Sequence, residues 1–195
     1  MRTLNKRLFA IVFALALSAG SSFSQSPLGG TSPDWKTVVQ NRLPLYGHRN
    51  WIVVADSAFP VYAAPGIETI VVKDDLPSVL KYVAGAISSS GHVRATVFLD
   101  KELQFIDEHD YPGVSELKKQ ITGTFAREQV SSIPHIEVMS KIDEAGKTFR
   151  ILFIKTTERI PYTSVYMRLD CGYMSDEVER KIRTAMAAAD NQPPK

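Results

Sequence analysis

The most constraining stretch of the chain is Trp51-Ile52-Val53-Val54-Ala55, five apolar residues in succession that end at Asp56. An uninterrupted apolar run of that length reads as a strand covered on both faces, the pattern of a parallel sheet between layers of helix. Around it strand and helix signals alternate. Glu68 to Lys73 and Val93 to Leu99 read as strands, separated by Leu76, Val79, Leu80, Val83 and Ile87 at helical spacing. Leu103 to Arg127 reads as two short helices around the Tyr111-Pro112-Gly113 turn signal. Ile136 to Met139, Phe149 to Ile154 and Val165 to Leu169 are further strand candidates, with a short helical or turn segment at Asp143 to Lys147. This alternation predicts a layered α/β domain with a mainly parallel sheet.

The ends of the chain have a different character. Ser32-Pro33-Asp34 offers an N-cap, a proline for the first helical position and an acid for the first turn, opening a short helix that ends at Leu43. Asp176 to Ala189 reads as a closing helix capped by Ser175, with Val178, Ile182, Ala185 and Met186 on one face. Before residue 32, a basic start (Arg2, Lys6, Arg7), the apolar Leu8 to Leu17 and a small polar stretch to Ser24 have the layout of a secretory signal peptide. Ten apolar residues are too few to span a bilayer, so residues 1–24 are expected to be cleaved, leaving no stable membrane anchor and an extracytoplasmic protein. Residues 25–31 read as a linker, and 32–190 as one domain.

Charge narrows the partners. The 195-residue chain has a formal net charge of +2, but the leader removes three basic residues and no acid, leaving 20 basic and 21 acidic groups in the mature chain. A near-neutral surface gives no polycation for nucleic acid and suits a neutral small molecule. The single cysteine, Cys171, excludes an intramolecular disulfide and a Cys-rich metal site, and the His and carboxylate residues are too scattered to predict a metal. As a small apolar group it packs, or it pairs with the same residue of another subunit.

Candidate chemistry clusters around the first strand. Asp56 leaves its carboxyl end, where ligands of open α/β sheets bind, and His48 precedes it in the Gly47-His48-Arg49-Asn50 loop. Each residue alone is equally consistent with a loop role. Taken together, Gly-His, a short polar spacer, an apolar strand and Ala55-Asp56-x-x-Phe59-Pro60 resemble the ribose pyranase and fucose mutarotase family. Asp75-Leu76-Pro77-Ser78 and the stretch from Ile154 to Pro161-Tyr162 extend the resemblance, which covers roughly Asp34 to Leu169.

The resemblance implies a three-layer α/β domain, ring-shaped homo-oligomers with sites between subunits, and interconversion of the cyclic forms of a free monosaccharide without cofactor or metal. His48 matches the family's proton donor, Asp56 its sugar-binding aspartate and Tyr162 its tyrosine. Ser164 stands where the family usually has Asn, Asn50 where it has Asp, and Thr157 where it has Gly. A second basic residue is expected after the strand read at 136–139, which selects Lys141; His135, ahead of that strand, is expected at the edge opposite Asp56. The charge clusters Asp100-Lys101-Glu102 and Asp107 to Asp110 read as exposed faces. A non-catalytic extracytoplasmic sugar-binding or scaffolding protein on the same fold is the alternative reading.

Overall fold

Strand β1, Trp51–Ala55, is buried at all five positions because its alternating side chains face two different cores. Ile52 and Val54 enter one core, and Trp51, Val53 and Ala55 the other. In this computed structural model residues 34–125 and 129–190 are described. The proposed leader, the linker, Ser32 and Pro33 lie outside them.

In chain order the elements are α1 (Trp35–Arg42), a 3₁₀ turn (Leu43–Leu45), β1, β2 (Ile67–Val71), α2 (Leu76–Ser90) and β3 (Val93–Asp100). A 3₁₀ helix (Lys101–Phe105), α3 (Val114–Thr124), β4 (Gln129–Ile133), α4 (His135–Gly146), β5 (Ile151–Lys155), β6 (Val165–Cys171) and α5 (Asp176–Asp190) follow. The six strands form one sheet in the order β2-β5-β1-β6-β3-β4. Five are parallel, and β6 runs antiparallel between β1 and β3. The sheet is thus mainly parallel, as expected.

Two helical layers follow from the two cores. Helices α1, α2 and α3 cover one face through Val39, Leu76, Val79, Leu80, Val83, Leu117 and Ile121. On the other face Val138 and Ile142 of α4 pack with Phe59, Phe153 and Tyr166. The result is a three-layer α/β domain. Helix α2 starts where Asp75 accepts the Ser78 N–H at 2.8 Å, and ends at Gly91, whose φ of 69° suits a residue without Cβ. At α1 the N-cap is Asp34 itself, which accepts the Thr37 N–H, rather than Ser32.

The largest departure from the sequence reading concerns residues 129–146. The strand lies at Gln129–Ile133, and the expected strand at 136–139 is the first half of α4. Exposure decides between the two periods. In a strand Ile136 and Val138 would share a face, yet Ile136 is 71% exposed and Val138 fully buried, while Val138 and Ile142, four apart, are buried together.

Helix α5 forms where expected, with Ser175 Oγ accepting the Val178 N–H at 3.3 Å. Its apolar stripe is open to solvent at Val178, Ile182 and Met186. Among the described residues no helix is long and apolar enough to cross a membrane.

Candidate functional site

The carboxyl ends of the parallel strands and the start of the antiparallel β6 meet on one edge of the sheet. That edge collects four polar side chains from four chain segments. Asp56 follows β1, Asp100 ends β3, His135 opens α4, and Ser164 precedes β6.

Asp56 and Ser164 are joined twice. Ser164 Oγ donates to Asp56 Oδ2 at 2.8 Å and accepts the Asp56 backbone N–H at 3.2 Å. Asp56 Oδ1 accepts the Ala58 N–H at 3.0 Å. Each carboxylate oxygen therefore keeps a lone pair for another donor, and Asp56 is only half-buried. Serine here ties the carboxylate directly to the start of β6.

Asp100 is 1% exposed. Its Oδ1 lies 3.1 Å from His135 Nδ1, at ion-pair distance but off the line of a straight hydrogen bond, so neither atom has a well-aligned partner. Its Oδ2 accepts from the buried Tyr166 hydroxyl at 3.4 Å. Burial pushes the Asp100 carboxyl up to about 6, against the opposing pull of His135. Burial also raises the Tyr166 phenol, which stays a donor at all ordinary pH.

His135 is held by its backbone as well. The N-cap of α4 is Pro134, with no side-chain cap of its own, and Glu102 supplies one from a distance, both oxygens 3.0 Å from the His135 N–H. The Tyr162 ring meets the imidazole edge-on at 5.5 Å between centroids. Tyr162 itself has φ 61°, an uncommon left-handed backbone for a non-glycine. The preceding loop fixes it: buried Thr156 donates to Ala55 O at 2.9 Å, Glu158 accepts the Arg159 and Ile160 N–H groups, and Thr163 donates to Ile160 O at 2.7 Å. Thr157 is not among the positive-φ positions, so the backbone there makes no demand for glycine.

The remaining sequence candidates lie elsewhere. His48 sits at the amino end of β1, exposed, in a cleft of about 430 Å³ with Arg94, Arg168, Asp170, Tyr173 and Glu179. The five residues of β1, at about 3.3 Å each, place roughly 16 Å or more between His48 and Asp56. One chain does not bring them together. Asn50 is spent on structure: its Oδ1 accepts the Arg150 N–H at 2.8 Å and its Nδ2 donates to Gly47 O at 3.1 Å.

Lys141 lies in the second turn of α4, exposed, 6.0 Å from the Phe98 ring, in a cleft shared with Trp51 at the far end of β1. It is not brought to Asp56. Its expected place depends on a strand at 136–139; with α4 starting directly after β4, His135 takes the carboxyl edge, not the opposite one. Asp100 and Glu102 likewise are not a solvated charge cluster, since one is buried and the other caps α4. The signal that was available for His135 is Pro134 followed by Val138, Ile142 and Ala145 at helical spacing.

Asp107, His109 and Asp110, read as exposed, are exposed, although their ligand atoms lie within 4.8 Å of one another. A groove of about 1340 Å³ between α2 and α3 reaches the segment before β6 through Glu158 and Ile160. It includes none of Asp56, Asp100, His135 and Ser164, so volume does not mark the polar cluster.

The family model for the RbsD / FucU transport protein family matches residues 38–173. The match ends before α5. No curated protein matches the chain. Among solved structures, this chain is similar to Bacillus subtilis RbsD complexed with D-ribose, at 17% identity and a TM-score of 0.49, over 77% of this chain and 99% of that one. It is also similar to the fucose mutarotase in complex with L-fucose from Streptococcus pneumoniae, at 15% identity and 0.47, over 74% and 95%. FucU from Bifidobacterium longum aligns at 12% identity and 0.45, over 69% and 94%. With well over half its length under the family model, from Val38 in α1 to Tyr173 just after β6, the chain belongs to the RbsD / FucU family.

Proposed function

We propose that this protein binds a neutral monosaccharide at the carboxyl edge of its sheet and interconverts the sugar's cyclic forms by acid–base ring opening and closure. The observation that carries the reading is the cluster of Asp56, Ser164, His135 and Tyr162, a set of acceptors and donors suited to sugar hydroxyls. The relatives complexed with D-ribose and L-fucose support the ligand class.

The chemistry is modest. A base removes the proton of the anomeric hydroxyl as the C1–O5 bond breaks, and an acid protonates O5, giving the open-chain aldehyde. Rotation about C1–C2 and the reverse proton transfers close the other anomer. Asp56, tied by Ser164, orients the hydroxyls, and imidazoles handle the protons because one ring nitrogen can donate while the other accepts.

His48, the residue matching the family's donor, stands at the opposite edge. The functional unit is therefore a homo-oligomer in which His48 of a second copy completes the site. The leader-like residues 1–24 support an extracytoplasmic location for it.

NMR exchange between the cyclic forms of ribose, fucose and a panel of free sugars tests this, with protein starting at Gln25 and its His48→Ala and Asp56→Ala variants. Acceleration that falls ~10²–10⁴-fold in His48→Ala is the expected result; equal rates in wild type and His48→Ala would refute the role. A second reading, sugar binding without catalysis, is favoured by Asn50, whose amide is occupied by Gly47 and Arg150 and gives His48 no carboxylate. Binding without accelerated exchange would establish it.

A further inference from the structure

Asp100 presents an arrangement that sugar binding alone does not require. A carboxyl group at 1% exposure ends β3 directly behind a histidine whose side chain is 36% exposed. Its Oδ1 and the His135 Nδ1 lie 3.1 Å apart, off the line of a straight hydrogen bond, both cut off from solvent, and no other described residue hydrogen-bonds either atom. Glu102 pins the His135 backbone N–H, and the Tyr162 ring lies against the imidazole edge.

Behind Asp100, Tyr166 donates to Oδ2, and Tyr166 lies one residue beyond Val165, which follows the Ser164 that holds Asp56. The charged or titratable groups facing the ring are thus Asp100 from β3, Glu102 from the 3₁₀ helix, Tyr162 from the loop before β6 and, through Asp100, Tyr166 from β6. None except His135 itself offers Asp100 Oδ1 a proton.

An ionised carboxylate only accepts hydrogen bonds. Set against one nitrogen of a neutral imidazole, it selects the tautomer with the proton on that nitrogen and leaves the lone pair on the other. We propose that Asp100 is a positioning residue that keeps the His135 proton on Nδ1, so that Nε2 meets the bound sugar as a proton acceptor. The assignment of Nε2 to the sugar rests on the mutarotase reading above; the tautomer itself does not. In that reading His48 of a second copy gives the proton to O5, and His135 Nε2 takes the anomeric one. On closure the two transfers reverse, so that neither imidazole is consumed.

The test is long-range ¹H–¹⁵N NMR of the histidine rings at pH 8 without sugar, on wild type, Asp100→Asn and Asp100→Glu. His135→Gln identifies the signals. Wild type is expected to show a protonated Nδ1 and a bare Nε2. Asp100→Asn, whose amide can donate to Nδ1, is expected to shift the ring toward the Nε2–H form, and Asp100→Glu to restore the wild-type pattern.

An Nε2–H ring in wild type would overturn the proposal whether or not any variant folds, as would an unchanged tautomer in a folded Asp100→Asn. Exchange kinetics supply the separate readout: Asp100→Asn should slow exchange by up to ~10²-fold with little change in sugar affinity. If the tautomer behaves as expected and wild type accelerates no sugar, the mutarotase reading fails while the role of Asp100 toward His135 stands. If wild type accelerates exchange and the tautomer is unaffected by Asp100, the reverse holds.

Discussion

Replacing Asp100 by Asn should make the protein more stable at neutral pH and no more stable in acid. The folded protein raises this carboxyl from 3.8 to about 6, chiefly by burial, which corresponds to about 3 kcal/mol of preference for the neutral form. The sign follows from linkage. A group whose folded pKa lies above its unfolded one contributes stability that is fully present below pH 3.8 and is lost as pH rises through about 6.

Asparagine has nearly the same shape, never ionises and can still accept from Tyr166. The stability difference between variant and wild type should therefore be near zero at pH 3.5 and grow to at most ~3 kcal/mol above pH 7. The attraction between the carboxylate and His135 is already contained in that figure, because it holds the carboxyl below where burial alone would put it. For a domain of this size that amounts to roughly 6–12 °C in melting temperature. Thermal melts followed by circular dichroism from pH 3.5 to 8 measure it. A difference that does not change with pH, or a wild type that gains on the variant as pH rises, would refute the reasoning. On the proposed function, the more stable variant should be the slower one.

Three further outcomes follow from the geometry. On the proposed site shared between copies, mixing His48→Ala with Asp56→Ala, each strongly impaired alone, should restore about a quarter of the wild-type exchange rate after subunit exchange, since one site in four then receives both intact residues; no recovery after confirmed subunit mixing would place both residues' work elsewhere. Glu102→Ala should cost about 1 kcal/mol in denaturant unfolding by uncapping α4, with amide exchange of the His135 N–H accelerated first. Gly172→Ala should cost ~1–3 kcal/mol in the same assay, because an added Cβ meets Val93 N at 2.8 Å and Gly91 O at 2.9 Å, all backbone that cannot turn aside. A Gly172→Ala protein as stable as wild type would mean that the close approach of the end of β6 to the start of β3 is not needed.

What the sequence makes legible depends on how strongly each segment is covered. β1 and β3 announce themselves because both their faces are buried, and α2 because its apolar residues recur every three to four positions before Gly91. β4 does not. It is an edge strand with Ser131 and Ser132 in its middle, and only pairing with β3 makes it a strand. Missing it displaced the following segment, so that Ile136 and Val138 looked like alternation and His135 fell on the wrong edge.

Asp56 was legible as a residue at the end of a buried strand, and Tyr162 and Ser164 by resemblance. Asp100 could not be read in the same way, since an acid beside Lys101 and Glu102 looks solvated in one dimension. Its burial depends on Tyr166 and α4, which arrive from 66 and 35 residues away.

The place of β6 has a consequence for the order of events in folding. Without it the sheet is two separate pieces, β2-β5-β1 and β3-β4, with no strand pairing between them. The strand that joins them is the last among the described residues. While residues 165–171 are still unmade, the inner edges of β1 and β3 stand open, and such edges recruit other chains. A protein truncated after residue 160 should accordingly keep helical signal yet self-associate, with rapid amide exchange along β1 and β3, whereas a truncation after 174 that spares β6 should not. The polar cluster shares that timing, because Ser164 and Tyr166 come with the strand that closes the sheet.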